Sequence, residues 1–286
     1  MELQLTKRII LKYYRTKLKL LQKVSPEKAV AQAMQLLFTP HTNHSKAERP
    51  AIFHKAEKLS FNFNGNIIHG FRWNAGQPAP KTILVCHGMS SCSYRFEKYI
   101  QLLLQNHFNV LAFDAQGHGQ SDGKILNAVI YSEIILEIEK CYGPVNGIIA
   151  HSVAGTATAF AMEHLNVSDK KIVLIAPATE TVRAIDHFFS MFHLKESFRK
   201  IFDERVEKLR GFPPEWYSVT RAVQTFKSSI LWIHDEQDTI CPYKDTRTIQ
   251  KMQLPHIQFL ITKELGHNMI YRDKEVQKKV IDFLIQ

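Results

Sequence analysis

The pattern of hydrophobic positions first predicts two helices, over residues 1–24 and 26–38. Ser25-Pro26 separates them and supplies an N-cap followed by proline at the first helical position. The stretch from Thr39 to Pro50 is polar and rich in helix breakers, so we expect a linker there. The chain is therefore predicted to begin with a helical extension.

The pattern of hydrophobic positions changes after the linker. Strands over Glu57–Phe63 and Ile67–Trp73 flank Asn64-Gly65-Asn66, which is typical of a β-hairpin. Continuous apolar strands then alternate with helical segments, a pattern that predicts a mostly parallel sheet covered by helices on two sides. The predicted elements are strand Thr82–Cys86, helix Arg95–Gln105, strand Val110–Phe113, helix Val129–Cys141, strand Gly147–Ala150, helix Thr156–Leu165 and strand Lys171–Ile175.

The alternation is interrupted by a segment with helical stretches and many aromatic residues but no strand-like run. It resumes with strands over Ile230–His234 and His256–Thr262, and a helix over Glu275–Ile285 closes the chain. We expect the interrupting segment to be a cap at the carboxyl edge of the sheet, where ligands bind in such folds. The predicted domains are an extension with linker over 1–50, an α/β core over 51–178 and 227–286, and a helical cap over 179–226.

The composition is that of an ordinary globular protein, with 45% hydrophobic and 22% charged residues among 286. No run of 18 apolar residues occurs, so no membrane-spanning helix is expected, and no secretory signal is expected at the start. Four scattered cysteines without a Cys-x-x-Cys pair favour free thiols in a reducing compartment. We therefore expect a cytoplasmic protein.

The formal charge of +10 is concentrated at the N-terminus, where the first 23 residues contain seven basic residues and one acid. One interpretation is a basic helix that contacts anionic lipid at a membrane surface. The pattern favours the alternative of a solvated basic face on a packed helix. The packing residues would then be Leu5, Ile9, Tyr13 and Leu20. No nucleic-acid partner is expected, because basic and aromatic residues do not interleave elsewhere.

Ser152 carries the strongest chemical signal in the sequence. A β-branched run ends there, and a helix-compatible stretch follows. A serine at a sharp strand-to-helix turn needs small neighbours two positions away on either side, here Ala150 and Ala154 in place of the more usual glycines. The pattern predicts a nucleophile elbow; the alternative is a serine that only caps the helix.

A serine hydroxyl needs a base within hydrogen-bond reach and a third group that orients the base. Asp238 follows one predicted strand and His267 follows the next, which completes the order serine, acid, histidine at strand ends. His267 could instead be a packing or surface histidine. The alternative acids are Asp235, Glu236 and Glu180.

The strand over Thr82–Cys86 is followed by a His-Gly sequence and then Met89, and we predict an oxyanion-binding turn there. The expected donors are the backbone N–H groups of Met89 and of Val153, the residue after the serine. In the glycine-rich loop after the next strand, we expect Asp114 and His118 to brace the loop. His87 and His151 border the site in sequence, and no catalytic step is assigned to either.

Together these motifs resemble the α/β-hydrolase superfamily over about residues 55–286. The front end is similar to little-characterised bacterial members that begin with a basic helix and a Ser-Pro helix ending in Phe-Thr-Pro, here residues 38–40. The resemblance implies an α/β-hydrolase fold in which Ser152 attacks an acyl carbonyl, His267 takes its proton and Asp238 holds the imidazole. Those relatives usually have glycine where this chain has Ala150 and Ala154.

The lead hypothesis is a serine hydrolase of carboxylic esters, similar to an esterase or lipase. The same residues could serve a thioesterase, an acyltransferase or an aminopeptidase, or the chain could be a non-catalytic binder of a hydrophobic ligand. Cap aromatics predicted to line an apolar substrate pocket are Phe188, Phe192 and Trp216, although such rings could equally form the cap's own core. Neither a metal nor a cofactor is expected, because the spacings that signal them are missing.

Overall fold

The computed structural model describes residues 2–40, 49–74, 76, 80–165 and 169–286, with side chains described from Arg8 onward. Within this part of the chain, eight strands form one sheet in the order β1-β2-β4-β3-β5-β6-β7-β8. The β1–β2 and β2–β4 pairs are antiparallel and all other pairs are parallel. The strands are β1 (Glu57–Phe63), β2 (Asn66–Trp73), β3 (Thr82–Cys86), β4 (Asn109–Phe113), β5 (Gly147–His151), β6 (Lys171–Ile175), β7 (Ser229–Asp235) and β8 (Ile257–Thr262).

Eleven α-helices occur in the described residues, and most of them connect or flank these strands. They are α1 (Glu2–Val24), α2 (Pro26–Phe38), α3 (Glu97–Gln105), α4 (Ala128–Tyr142), α5 (Val153–Met162), α6 (Thr181–Phe192), α7 (Glu196–Arg210), α8 (Val219–Ala222), α9 (Arg247–Lys251), α10 (Gly266–Met269) and α11 (Lys274–Ile285). The predicted α/β class with a mostly parallel sheet is confirmed. The predicted linker falls mostly on 41–48, which lie outside the described residues.

Contacts divide the chain into two compact units. The larger comprises residues 40–179 and 219–286 and contains the whole sheet. Its central strands are buried on both faces, as their continuous apolar sequences require; all five residues of β5 are buried. Helices α3 and α11 contribute to the main core of this unit, and α4 packs against α5.

The smaller unit joins residues 1–39 with residues 180–218. Leu18 of α1 and Val30 of α2 share one buried cluster with Phe188 of α6 and Phe202 of α7. The sequence predicts an extension separate from the cap, whereas the structure gives these segments a common core. Residues 219–226, predicted as part of the cap, belong to the larger unit.

The face of α1 that packs in this core differs from the expected one. Ile9, Tyr13 and Leu20 were predicted to pack, but they are 60%, 59% and 58% exposed. The inward face instead carries the fully buried Leu18, with other apolar side chains against the same cluster: Leu11, Tyr14 and Leu21. The side chain of Leu5 lies outside the described residues. Among the described helices, α1 included, none has the length and apolarity needed to cross a bilayer.

Candidate active site

Ser152 lies at a sharp turn between β5, which ends at His151, and α5, which begins at Val153. Its backbone dihedrals are φ 59° and ψ −125°, in a region that non-glycine residues rarely adopt. Hydrogen bonds hold the turn on both sides: the Ser152 N–H donates to Ile175 O at 3.0 Å, and the Ala178 N–H donates to Ser152 O at 3.2 Å. Ser152 therefore lies at the kind of strained strand-to-helix turn that a nucleophile elbow requires.

The alanines that flank the elbow fit without strain of their own. Positive φ occurs at Ser152 but at neither Ala150 nor Ala154, and both alanine side chains are fully buried. The position with no room is Gly155, where an added Cβ would lie 2.7 Å from Cβ of Pro177. The glycine is thus needed one residue later than usual, because the helix passes close to the segment after β6.

His267 joins the serine to a carboxylate. Its Nε2 lies 3.0 Å from Ser152 Oγ, and its Nδ1 lies 2.7 Å from Asp238 Oδ2. The histidine sits in α10, a single helical turn after β8, and is buried except for a small exposed fraction. Three side chains far apart in sequence therefore form one continuous hydrogen-bonded chain.

Asp238 is held with its charge facing the imidazole. The N–H groups of Ile240 and Cys241 both donate to Oδ1 at 2.8 Å, which leaves Oδ2 for His267. Burial alone would raise the pKa of Asp238, but the hydrogen bond and charge of His267 and the two N–H groups outweigh it and lower the pKa below its usual value. The carboxylate therefore stays ionised and can stabilise a charged imidazolium.

The alternative acids have other partners. Asp235 accepts hydrogen bonds from Thr262 Oγ1 at 2.7 Å and from the Leu265 N–H at 3.1 Å, so it ties the loops after β7 and β8 together. Glu236 is exposed and pairs with Lys263 at 3.4 Å. Glu180 belongs to the smaller unit, where its Oε1 accepts from Ser218 Oγ.

The turn that carries Met89 lies beside the serine. An added Cβ at Gly88 would be 3.1 Å from Ser152 Cβ and 2.8 Å from His151 Nδ1, so only glycine allows this approach. Met89 lines a cleft together with Ser152, and Val153 occupies the first turn of α5. Backbone N–H groups of a turn and of a helix N-terminus are the donors that an oxyanion requires.

Asp114 and His118 brace this turn, in the manner expected. Ser93 donates both its N–H and its hydroxyl to Asp114 Oδ1, at 2.9 and 2.8 Å. The Ser90 N–H donates to His118 Nε2 at 3.0 Å. Both acceptors are about 1% exposed, so the glycine-rich loop and the Met89 turn form one rigid block.

Two buried histidines behind the site, His151 and His234, have structural roles that the sequence did not reveal. His151 Nε2 donates to the His267 carbonyl oxygen at 3.0 Å, and burial, followed by the nearby His267, lowers the pKa of His151 to about 3. His234 Nε2 donates to the Cys241 carbonyl oxygen at 2.7 Å, on the loop that carries Asp238. Both follow apolar strand residues, a weak signal in a chain with fourteen histidines.

Cys241 is a neighbour of the serine that the motifs did not single out. Its backbone N–H donates to Asp238 Oδ1 at 2.8 Å, and the nearby Ser152 hydroxyl slightly favours the thiolate form. Burial, followed by the charge of Asp238, raises the pKa of Cys241 to about 12. The thiol therefore stays protonated at neutral pH and is a poor nucleophile beside the serine.

The predicted pocket aromatics occupy other positions. Phe188 and Phe192 are 5% and 6% exposed within the core of the smaller unit, so packing accounts for them. Trp216 is half-buried and stacks on Phe212, with ring centroids 4.1 Å apart. Within the described residues, no group of three or more histidine, cysteine, aspartate or glutamate side chains could hold a metal ion.

Comparisons with known proteins give the same fold. Two solved structures each have a TM-score of 0.63 and 18% identity: the esterase Pf2001 of Pyrococcus furiosus and Est1E of Butyrivibrio proteoclasticus with bound ferulic acid. The first match covers 86% of this chain and 96% of the other, and the second covers 80% and 100%. At this identity the likeness establishes the fold alone.

Sequence comparison points to the family. An uncharacterised protein of Bacillus subtilis, YqkD, is 24% identical over 253 residues, which are 80% of this chain and 79% of YqkD. The family model described as serine aminopeptidase, S33, matches residues 77–221, half of the chain. The matched segment includes the Met89 turn, the glycine-rich loop and the elbow. The chain therefore belongs to the S33 serine aminopeptidase family of the α/β-hydrolase superfamily.

Proposed function

We propose that the protein is a serine hydrolase that cleaves carboxylic esters through an acyl-enzyme on Ser152. The observation that carries the proposal is the position of His267, whose two ring nitrogens lie 3.0 Å from Ser152 Oγ and 2.7 Å from Asp238 Oδ2. A neutral imidazole that donates from Nδ1 to Asp238 presents the lone pair of Nε2 to the hydroxyl. That is the arrangement a general base requires.

In the first half-reaction, Ser152 Oγ forms a bond to the acyl carbon as His267 Nε2 takes its proton. The charge that develops on the carbonyl oxygen is stabilised by the N–H groups of Met89 and Val153. The bond to the leaving oxygen then breaks, and the imidazolium returns its proton to that oxygen. An alcohol leaves, and the acyl group stays on the serine as an ester.

In the second half-reaction, water replaces the alcohol. His267 Nε2 takes a proton from the water as its oxygen attacks the acyl carbon, and the same donors stabilise the second oxyanion. The bond to Ser152 Oγ breaks, the serine recovers its proton, and a carboxylic acid is released. Asp238 keeps its charge throughout and stabilises the imidazolium in both halves.

An ester substrate is favoured because the solved neighbour Pf2001 is named as an esterase. The family description instead names a peptidase, and fold alone does not decide among ester, thioester and amide. Thioesterase, acyltransferase and aminopeptidase activities thus remain the alternatives on the same residues. A cytoplasmic location fits the free cysteines, of which Cys86, Cys92 and Cys241 are buried.

The test combines a fluorophosphonate probe with 4-nitrophenyl butyrate. Wild type should be labelled and should release nitrophenol, and Ser152→Ala should lose both, with kcat/KM lower by at least about 10³-fold. Ser91→Ala is the matched control, because Ser91 lines the same cleft and only Ser152 is hydrogen-bonded to His267 among the described serines. Parallel assays with butyryl thioester and amino-acyl nitroanilide substrates decide among the alternatives. Unlabelled and inactive wild type would refute the proposal in favour of a non-catalytic binder. Full labelling of Ser152→Ala would refute the assignment of the nucleophile to Ser152.

We propose a second property, peripheral binding of α1 to anionic membranes. Ile9, Tyr13, Leu20 and Val24 are 60%, 59%, 58% and 84% exposed. At about 100° per residue they fall within a sector of roughly 60° on one side of the helix. An apolar stripe of this size facing solvent is unusual for a helix that already packs through its opposite face.

The charges beside the stripe favour a lipid surface as its occupant. On the flank of the stripe lie four exposed basic residues, and no acid lies between positions 8 and 24. The four are Arg8, Lys12, Lys19 and Lys23. Each such residue near an anionic bilayer contributes about 1 kcal/mol, and the apolar stripe would enter the headgroup region.

Co-sedimentation with phosphatidylcholine vesicles, with and without phosphatidylserine, tests this binding. Wild type should pellet with the anionic vesicles and less so at high salt. Replacement of Ile9 and Leu20 by glutamine should lower the pelleted fraction several-fold. Point variants are preferred to deletion of α1, because the helix contributes Leu18 to the core. Equal pelleting of variant and wild type, or equal pelleting with neutral vesicles, would overturn the proposal.

A further inference from the structure

A cleft of about 350 Å³ opens beside Ser152 within the larger unit. Its walls come from the Met89 turn, from the elbow, and from the segments that follow β7 and β8. Ser152 and His267 both line it, so a molecule that enters the cleft meets the proposed nucleophile and base. The chemistry of its walls therefore bears on which substrates react.

The cleft carries two permanent positive charges and no negative one. Arg95 and Arg272 line it, and none of the described residues that line it has a carboxylate. Neither guanidinium forms an ion pair with a described residue, although other arginines of the chain do, such as Arg72 with Glu57. Two unpaired cations beside a reacting centre attract anions into the cleft.

Arg272 is exposed, but hydrogen bonds hold its guanidinium in place. Its Nε and Nη2 donate to Tyr271 Oη at 3.0 and 2.9 Å, and its Cζ lies 5.1 Å from the centroid of the same ring. Tyr271 is itself 5% exposed and stacks on Phe96 with ring centroids 5.1 Å apart. These two bonds use two of the five guanidinium N–H groups, so three remain for a ligand.

Arg95 comes from a part of the chain far from Arg272. It lies in the single turn Ser93–Phe96 that follows the Met89 turn. That turn is fixed by the hydrogen bonds of Ser93 to the buried Asp114 and by the burial of Phe96. The backbone that carries Arg95 is thus as firmly positioned as the oxyanion donors, whereas its side chain is exposed.

We propose that Arg95 and Arg272 are specificity residues that select esters bearing a second, anionic oxygen group, a carboxylate or a phosphate. Guanidinium groups recognise such groups through paired N–H donors, and few other side chains match their geometry. The inference deepens the proposed ester hydrolysis and rests on it. The hydrophobic wall formed by Met89 and Ile240 would then contact the carbon chain between the two ends of the substrate.

The test compares two 4-nitrophenyl esters that differ in one charge. The first is the half-ester of glutaric acid, whose free end is a carboxylate, and the second is its methyl ester, whose free end is neutral. Wild type should show a kcat/KM at least about tenfold higher for the anionic ester, measured by nitrophenol release. Arg95→Gln and Arg272→Gln should each lower that ratio about three- to tenfold, because kcat/KM falls more for the anionic ester than for the neutral one.

Two controls separate recognition from general charge and from folding. Lys98→Gln removes one exposed positive charge near Arg95 but outside the cleft, so its ratio should equal that of wild type. Arg272→Lys keeps the charge without the paired donors and should recover part of the ratio. Free glutarate and inorganic phosphate, added as competitive inhibitors, show which anionic group the cleft prefers; each should inhibit wild type more than Arg272→Gln.

Equal kcat/KM of wild type for the two esters would overturn the inference and leave the hydrolase proposal intact. An equal fall on both esters in the arginine variants would also overturn it, because the arginines would then be structural. If wild type cleaves neither ester and takes up no fluorophosphonate, the hydrolase proposal itself fails and this inference falls with it.

Discussion

The imidazole of His151 lies against that of His267, with ring centroids 4.7 Å apart, and its Nε2 donates a 3.0 Å hydrogen bond to the His267 carbonyl oxygen. His151 therefore supports the proposed base from behind while remaining out of the proton-transfer path. Only a neutral ring can occupy this place at little cost, because the side chain is buried and faces another histidine.

This burial predicts a loss of stability in mild acid. The pKa of His151 is lowered to about 3, mainly by burial, whereas an unfolded histidine has a pKa of about 6.5. Between these values the unfolded chain binds a proton that the folded chain does not, so stability falls as pH drops through this window. His151→Gln keeps a donor without the titration. Denaturant unfolding at pH 7.5 and pH 5 should show the wild type losing about 2 kcal/mol more than the variant.

One outcome of the pH experiment would contradict the predicted role of His151. Other groups, including His234 with its lowered pKa, affect both proteins alike and cancel in the difference. A wild type and a His151→Gln variant with parallel stability changes between the two pH values would mean that His151 is protonated in the folded state, against the burial argument.

The role of Asp238 in orienting His267 can be tested by comparison with Glu236, two positions earlier in the chain. In Asp238→Asn the oxygen would stay on the Ile240 and Cys241 N–H groups, so the amide NH₂ would face His267 Nδ1. That forces the proton of the imidazole onto Nε2, the wrong nitrogen for a base toward Ser152. We expect kcat for 4-nitrophenyl butyrate to fall about 10³- to 10⁴-fold.

Glu236→Gln is the matched control for this variant. The side chain lies on the same loop but is exposed and pairs only with Lys263 among the described residues, so kcat should stay within twofold of wild type. If Asp238→Asn kept a tenth or more of wild-type kcat, a different acid would have to orient His267, and Asp235 would be the next candidate.

Substitutions at two adjacent small residues of the elbow, Ala154 and Gly155, should have unequal effects on stability. Gly155→Ala would place a Cβ 2.7 Å from Pro177 Cβ and 3.2 Å from its Cα, so α5 or the segment after β6 must shift. We expect a loss of about 1–3 kcal/mol in unfolding free energy and a fall in kcat. Ala154→Gly, which restores one of the two usual glycines, should cost only about 1 kcal/mol from helix propensity. Equal stability of Gly155→Ala and wild type would show that the backbone yields easily here.

The sequence predicted the sheet because each strand and each strand-end motif is a local signal. Ser152, Asp238 and His267 each follow an apolar run, and parallel strands bring such ends to one edge. The choice among Asp235, Glu236 and Asp238 could not be made from periodicity, because it depends on which carboxylate the loop turns inward. In the structure, the N–H group of Cys241 fixes Asp238 toward His267. Asp235 instead accepts from the Thr262 hydroxyl and the Leu265 N–H.

The packing of α1 illustrates what periodicity leaves open. The helix has two apolar stripes at helical spacing, one through Ile9, Tyr13 and Leu20 and another through Leu11 and Leu18. Either could face a core, and the prediction that the stripe through Ile9, Tyr13 and Leu20 packs is wrong. The correct stripe is set by contacts with residues more than 150 positions away, which no local pattern contains. The shared core of the N-terminal and inserted helices was missed for the same reason.

Two leucines on α1 test this assignment directly. Leu18 is fully buried in the cluster with Phe188 and Phe202, whereas Leu20 is 58% exposed. Leu18→Ala should lower the unfolding free energy of the smaller unit by about 2–5 kcal/mol, because it leaves a cavity that rigid rings cannot fill. Leu20→Ala should change it by less than about 0.5 kcal/mol. Hydrogen exchange at α6 and α7 amides gives the local readout: faster exchange in Leu20→Ala than in Leu18→Ala would mean that the helix packs through its other stripe.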